Sequence, residues 1–288
     1  MKSFLPSDLK TPELHALLLG SIGPRPIAFA STIDADGKPN LSPYSFFNVF
    51  SANPPIMIFS PARRVRNNTT KHTLENVLAT KEVVINVVNY AIVQQMSLSS
   101  TEYAAGVNEF EKAGLSMLKS DIVKPFRVKE SPVQYECKVK EVVALGEEGG
   151  AGNLIIAEVV KLHVNEAILT KDLKINQHEI DLVARMGGNW YTRANLGMFE
   201  VPKPLSQLGI GVDQIPHEIR NSNFLTGNDL GILGNVEKLP TAEEIKQFIE
   251  TEKLYEKIDL QSEAAKHEQA KLYITKGRIL SAWKTLLA

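Results

Sequence analysis

Between residues 27 and 164 the apolar residues fall in short β-branched and aromatic runs, separated by turn residues. Ile27 to Ile33 reads as a strand, and Asp36-Gly37 as a tight turn between two extended runs. Asn40 to Phe50 is the expected return strand, with Pro43 marking a bulge or an edge position. Ile56 to Ser60, bounded by prolines, predicts a third strand, and the β-branched run Val83 to Val88 a fourth. Val133 to Leu145 and Leu154 to Val164 predict two longer strands joined by the glycine-rich turn GEEGGAG. Helical spacing is confined to short pieces: Pro12 to Leu19, Thr73 to Thr80 with Thr73 as candidate N-cap, Ala91 to Ser99, and Asn108 to Leu118. Strands and helices do not alternate as a doubly wound sheet demands. A mostly antiparallel barrel with helices packed outside fits the order better.

The pattern changes near residue 200. VPKPLSQLGIGVDQIP reads as an extended linker. Thr241 and Glu244 then form a capping box ahead of an apolar stripe made by Ile245, Phe248 and Ile249. A second helix is expected from about Gln261 to Leu287. The polar turn residues of NSNFLTGNDLGILGN suit a segment reaching over an active site, whereas the terminal helices more simply bury their stripes, as in a dimer interface. The expected organisation is a domain over residues 1–200 and a linker with a helical extension over 201–288.

Composition narrows the chemistry. With 32 basic and 33 acidic side chains in 288 residues, the chain has no electrostatic bias towards nucleic acid or an anionic membrane. No run approaches the roughly 20 apolar residues of a membrane span. The N-terminus places acidic residues and a proline ahead of any apolar run and does not read as a signal peptide, so a cytoplasmic location is expected. Cys137 is the one cysteine and sits in an alternating apolar run, which favours a buried structural thiol. Phosphate-loop, dinucleotide, HExxH, CxxC and GxSxG motifs are absent and the six histidines are scattered, so no metal site is expected.

Candidate chemistry concentrates between residues 25 and 73. NLSPYSFFN sets Ser42, Ser45 and Asn48 among aromatics, and FSPARRVRNNTTKHT carries Arg63, Arg64, Arg66 and Lys71 among hydroxyls. A phosphate dianion suits that mixture of directional donors and neutralising charge, the more so beside a helix start. Taken alone, the second segment also reads as a basic, solvated surface loop.

The order of these motifs resembles the flavin-reductase-like, FMN-binding split-barrel family. The resemblance rests on RPIAFASTIDADGKPNLSPYSFFNVFSANPPIMIFSP, then KHTLENV, NEFEKAGL and ARMGGNWYTR, and covers roughly residues 20 to 200. It implies a six-stranded antiparallel split β-barrel, usually a homodimer, with FMN near the interface. It implies flavin contacts from Ser31, Thr32, Ser45, Phe46, Phe47 and Asn48, and phosphate contacts from Ser60, Arg64, Lys71 and Thr73. Where relatives often have Lys-Asp-Thr this chain has Lys71-His72-Thr73, which makes the local charge less negative. Arg185, Trp190 and Tyr191 are candidates for the substrate side, against a reading of Gly187-Gly188 as a turn and Trp190 as core. Many reductase relatives carry Gly-Asp-His before the last barrel strand; here the turn GGAGNL has no histidine.

The resemblance implies an oxidoreductase passing hydride from NAD(P)H to FMN, with no acid–base triad, because the flavin carries the redox chemistry. Two alternatives are an FMN-bearing electron carrier of flavoredoxin type that meets a redox protein partner without NAD(P)H activity, and an FMN-binding module without redox turnover.

Overall fold

The apolar runs between residues 28 and 164 pair into one antiparallel sheet. The computed structural model describes residues 1–201 and 208–288, and places in that sheet β1 (Ala28–Ile33), β2 (Pro39–Tyr44), β3 (Phe47–Ala52), β4 (Pro55–Phe59), β5 (Glu82–Val87), β8 (Val133–Ala144) and β9 (Asn153–Val164). Two ribbons stand apart: β6 (Met117–Leu118) with β7 (Arg127–Val128), and β10 (Val183–Arg185) with β11 (Tyr191–Arg193).

The strand order is β2-β1-β5-β8-β9-β4-β3. Its two edges, β2 and β3, are consecutive in the chain, with only Ser45 and Phe46 between them. Three Cα steps reach at most about 11 Å, whereas seven strands laid flat measure about 29 Å across. The sheet therefore curls until its edges meet. No ladder joins β2 to β3, so the barrel is split along that line. The expected six strands become seven because the segment from Asn40 to Phe50 forms two strands, one on each edge. Pro43 lies on edge strand β2, where a missing N–H is tolerated. The exposed side of that edge is also covered: the Glu109 carboxylate accepts the Leu41 N–H at 3.0 Å.

Alternation along β1 distributes the core. Ala28 and Ala30 point into the barrel with Tyr44, Phe59, Ile85, Cys137 and Ile155. Ile27 and Phe29 point outward onto Leu41, Met96 and Phe110. The latter cluster lies under α3 (Val93–Leu98) and α4 (Glu109–Ala113). Two further helices, α1 (Thr11–Ser21) and α2 (His72–Thr80), flank the first strands in sequence.

Two helix expectations are corrected here. The stretch from Asn108 to Leu118 is helical only to Ala113, because the chain reverses at Gly114 into β6. Thr73 is not the N-cap of α2; Lys71 holds that position with extended backbone, and Thr73 is turned inward as a buried residue of the first turn.

The chain divides into two units, Met1–Phe199 and Glu200–Ala288. The second contains α5 (His217–Arg220), α6 (Gly227–Leu233), α7 (Ala242–Glu252), α8 (Leu254–Lys257), α9 (Glu263–Thr275) and α10 (Ile279–Leu286). It has its own core around Trp283, whose indole N–H donates to the Leu233 carbonyl at 3.0 Å. The capping box of Thr241 and Glu244 opens α7. The helix expected from Gln261 to Leu287 is two helices, broken at Gly277, where φ is +70°. Leu225 and Leu233 of the NSNFLTGNDLGILGN segment belong to this core. Part of the expected linker, residues 202–207, lies outside the described residues; at its far end Val212–Gln214 forms a short helical turn and Ile215 is buried in the same core. No described helix is long and apolar enough to cross a membrane.

Candidate functional site

The cationic end of the site grows from the end of β4. Ser60 is buried there, and its hydroxyl accepts the Asn153 N–H at 3.0 Å. The loop that follows is held by the β8–β9 turn. Arg63 N–H donates to the Ala151 carbonyl at 2.8 Å, Gly150 N–H to the Arg63 carbonyl at 3.0 Å, and the Asn68 amide to the Glu147 carbonyl at 2.9 Å. The turn approaches so closely that a Cβ on Gly149 would lie 3.0 Å from the Val65 carbonyl oxygen and 3.1 Å from that of Arg64. Arg64 is thereby fixed: it donates to the Thr69 hydroxyl at 3.0 Å and to the Thr70 carbonyl.

Charge in this loop is unbalanced. Glu102 serves two guanidiniums, Arg64 at 3.4 Å and Arg66 at 2.8 Å. Lys71 has no carboxylate within ion-pair distance among the described residues. Burial first, and then the neighbouring Arg64 charge, hold the Lys71 ammonium below the usual lysine range, while Glu102 opposes them. Lys71 also precedes α2, and its side chain makes no capping bond to the first N–H groups of that helix. A half-buried ammonium, a guanidinium and an uncapped helix start thus adjoin one another.

Behind them lies a buried hydroxyl–amide network. The Asn40 amide donates to Thr73 Oγ1 at 2.9 Å and to Thr32 Oγ1 at 3.3 Å. The Tyr44 hydroxyl donates to Thr73 Oγ1 at 2.9 Å, and the Asn76 amide to Thr32 Oγ1 at 3.0 Å. Burial pushes the Tyr44 phenol up to about 12, so it remains a donor across the accessible pH range. Both threonine hydroxyls are saturated as acceptors. Next to Thr32, the buried Ser31 hydroxyl has no partner among the described residues. Donors therefore outnumber acceptors at this end of β1, a surplus that an anionic, oxygen-rich group satisfies.

The other end is built around Arg25. Its N–H and carbonyl exchange hydrogen bonds with Arg185, tying the β10–β11 hairpin to the start of the barrel. Its guanidinium donates to the Leu19 carbonyl at 2.8 Å, to the Ile22 carbonyl, to the Met186 carbonyl at 2.9 Å and to Ser45 Oγ at 3.4 Å. A cavity of about 310 Å³ opens beside it, with Ser45, Ser97, Arg185, Asn189 and Tyr191 in its wall.

The structure brings the expected residues together in part. Arg64, Lys71 and Thr73 gather at the start of α2, with Ser31 and Thr32 behind them, fully buried, while Ser60 sits at the end of β4 bonded to Asn153 and Phe46. The segment Ser45 to Asn48 crosses the split between the barrel edges, and Ser60 N–H donates to the Phe46 carbonyl at 2.9 Å, joining the two ends. Asn48 and Phe46 are exposed, while Phe47 packs against the barrel core. Arg185 and Tyr191 share the cavity wall, but Trp190 does not; it is 77% exposed at the hairpin tip, neither core nor lining. The residues that sequence reasoning passed over are Arg25, Asn40 and Tyr44. All three lie inside the motifs that carried the resemblance.

Two other reactive groups are structurally committed. Burial raises the Cys137 thiol far above its ordinary range, so it stays protonated. Carboxylate oxygens of Asp121 and Glu136 and a ring nitrogen of His163 cluster within 4.8 Å, but the Glu136 carboxylate accepts the N–H groups of Asp121, Ile122 and Val123 and pairs with His163 at 2.7 Å. Lys161 pairs with Asp121 at 2.5 Å. This cluster ties the loop at residues 121–123 to β8.

An antiparallel barrel split between β2 and β3 is the fold of the flavin-reductase-like class. Residues 20–180 match the model of the flavin reductase like domain, and the chain belongs to that family. A protein of Aquifex aeolicus, itself uncharacterized, is 38% identical over 191 residues, covering 66% of this chain and 95% of the relative. Nitrilotriacetate monooxygenase component B from Bacillus cereus superposes with a TM-score of 0.66 at 30% identity, over 70% of this chain and 98% of that one. A candidate flavin reductase with a split barrel domain from Shewanella frigidimarina gives 0.59 at 29% identity, over 68% and 95%.

Proposed function

We propose that the chain is an FMN-binding oxidoreductase that takes hydride from NAD(P)H. The observation that carries the FMN reading is the pair Arg64 and Lys71 at the uncapped start of α2, where Glu102 pairs with Arg64 but no carboxylate pairs with Lys71 among the described residues, with the unpartnered Ser31 hydroxyl behind them. The residues fit a phosphate monoester. Lys71 and Arg64 supply charge, the first N–H groups of α2 supply direction, and the Ser60 hydroxyl, already an acceptor, keeps its proton to donate. Thr73 and Thr32 act by fixing Asn40 and the wall behind. The segment Ser45 to Asn48 lies one hydrogen bond away through Phe46 and Ser60 and offers backbone groups and Asn48 for a ring system. Bound flavin supplies the redox chemistry, accepting a hydride equivalent; the chain binds, orients and sets the local charge.

Purified protein should carry or take up FMN, seen as flavin absorbance, and should oxidise NADH or NADPH, faster with added FMN. Protein that stays colourless with added FMN sinks the flavoprotein reading; flavin without nicotinamide oxidation sinks the reductase reading.

One observation favours the alternative of an electron carrier with bound FMN and a redox protein partner. The β8–β9 turn carries no histidine and is engaged in holding the Arg64 loop, so it brings no imidazole to a nicotinamide. Homodimer formation is part of the proposal. Val49 and Phe50 on the edge strand β3 expose apolar side chains suited to contact with a second copy of the chain.

A further inference from the structure

We infer that the cavity between the β2 edge, α3 and the β10–β11 hairpin binds a small organic carboxylate, with Arg185 as its counter-charge. That this ligand is a reaction partner of the flavin rests on the flavoprotein reading above; the binding claim itself does not.

The first argument is a comparison within one hairpin. Arg193 stacks over Tyr90 at 4.0 Å, and its charge is met by Asp181 through two hydrogen bonds of 2.8 and 2.7 Å. Arg185 stacks in the same manner over Tyr191 at 4.6 Å and donates to the Gly188 carbonyl at 2.6 Å. Unlike Arg193, it has no carboxylate within ion-pair distance among the described residues. Arg25 adds a second cation whose contacts are all carbonyls and one hydroxyl. Burial, and then the facing Arg185 charge, weaken the hold of Arg25 on its proton. Of these two facing guanidiniums, Arg185 lines the cavity and Arg25 lies behind the lining Ser45, with no acid paired to either among the described residues. A carboxylate placed there relieves the repulsion and matches the planar fork of Arg185.

The remaining wall says what else the ligand carries. The Ser45 hydroxyl accepts from Arg25, so its own proton is free to donate into the cavity. Ser97 and Asn189 offer further donors, whereas the Ser100 hydroxyl is bonded to the Ser97 carbonyl at 2.5 Å. Ile27, Pro43 and Met96 add a smaller apolar part to this mostly polar wall, which an inorganic anion leaves uncovered and an organic acid covers. The volume of about 310 Å³ lies at the low end of the ~300–1,000 Å³ range of ligand pockets, which suits a single ring better than a dinucleotide.

Benzoate is the direct probe, titrated calorimetrically into the full-length protein, both flavin-free and loaded with FMN. Binding in both forms is expected, with at least 10-fold weaker binding of benzamide, the neutral isostere. Arg185→Gln should weaken benzoate at least 10-fold, and Arg185→Lys should recover part of the loss; a thermal melt of each variant reports folding. Equal affinity for benzamide, no effect of Arg185→Gln, displacement by equimolar inorganic phosphate, or exclusion of benzoate by FMN each overturns the inference. Arg185-dependent benzoate binding in a protein that never takes up FMN would leave the inference standing and remove the flavoprotein reading instead.

Discussion

Lys71 is the residue at which stability and binding oppose each other. Its ammonium is held below the ordinary lysine range in the free protein, so the folded state disfavours the charged form relative to the unfolded chain. Below that depressed value the folded protein keeps a charge it would rather lose. Lys71→Met should therefore raise the melting temperature of flavin-free protein at neutral pH, and the gain should shrink as pH rises and wild-type Lys71 discharges. Glu136 shows the opposite sign. Burial alone would raise its pKa, but three backbone N–H groups and His163 outweigh that and bring it down to about 2. Its contribution is present above the ordinary carboxylate range and is lost as pH falls towards 2. Glu136→Gln, which turns an amide N–H towards backbone donors, should cost about 1–3 kcal/mol at pH 7. Urea melts between pH 7 and 3 should show the variant losing less stability than wild type across that range; parallel losses would mean Glu136 does not anchor the loop at residues 121–123.

At the scale of elements, the β8–β9 turn acts as a clamp on the cationic loop. Gly149 leaves no room for a Cβ against the backbone of Arg64 and Val65. Gly149→Ala should push the loop away, weakening FMN several-fold while leaving the barrel's melting temperature within a few degrees. Unchanged FMN affinity would separate the turn from the site. The strands were legible because apolar alternation and Asp36-Gly37 speak through local sequence. The division of the segment Asn40 to Phe50 into two strands was not. Both halves read as extended, and only barrel closure, a property of the whole sheet, sends them to opposite edges. Thr73 read as an N-cap because its hydroxyl and position suit one. The competing partners, Asn40 and Tyr44, are 33 and 29 residues away, beyond any local pattern. For the same reason nothing in the local pattern marks Arg25, which ties Ser45 to the β10–β11 hairpin.

At the scale of the molecule, every residue assigned to the site lies within Met1–Phe199, and Glu200–Ala288 has its own core around Trp283. A chain ending at Phe199 should then bind FMN within about 3-fold of the full chain, a factor worth about 0.7 kcal/mol. A larger loss would place part of the site in the second unit. The exposed Val49 and Phe50 of edge strand β3 give the homodimer proposal its own test. Phe50→Glu should shift the mass found by sedimentation from two chains towards one.

The central claim is that a phosphate-bearing flavin is held at Arg64 and Lys71. Its most direct test is a flavin-fluorescence titration of FMN and riboflavin against wild type and Lys71→Met. The account predicts that wild type prefers FMN and that Lys71→Met weakens FMN about 10- to 100-fold, as expected for loss of a charge-assisted hydrogen bond of about 1.5–3 kcal/mol, with riboflavin unchanged. Equal affinity of wild type for the two flavins, or equal losses for both in the variant, would contradict it.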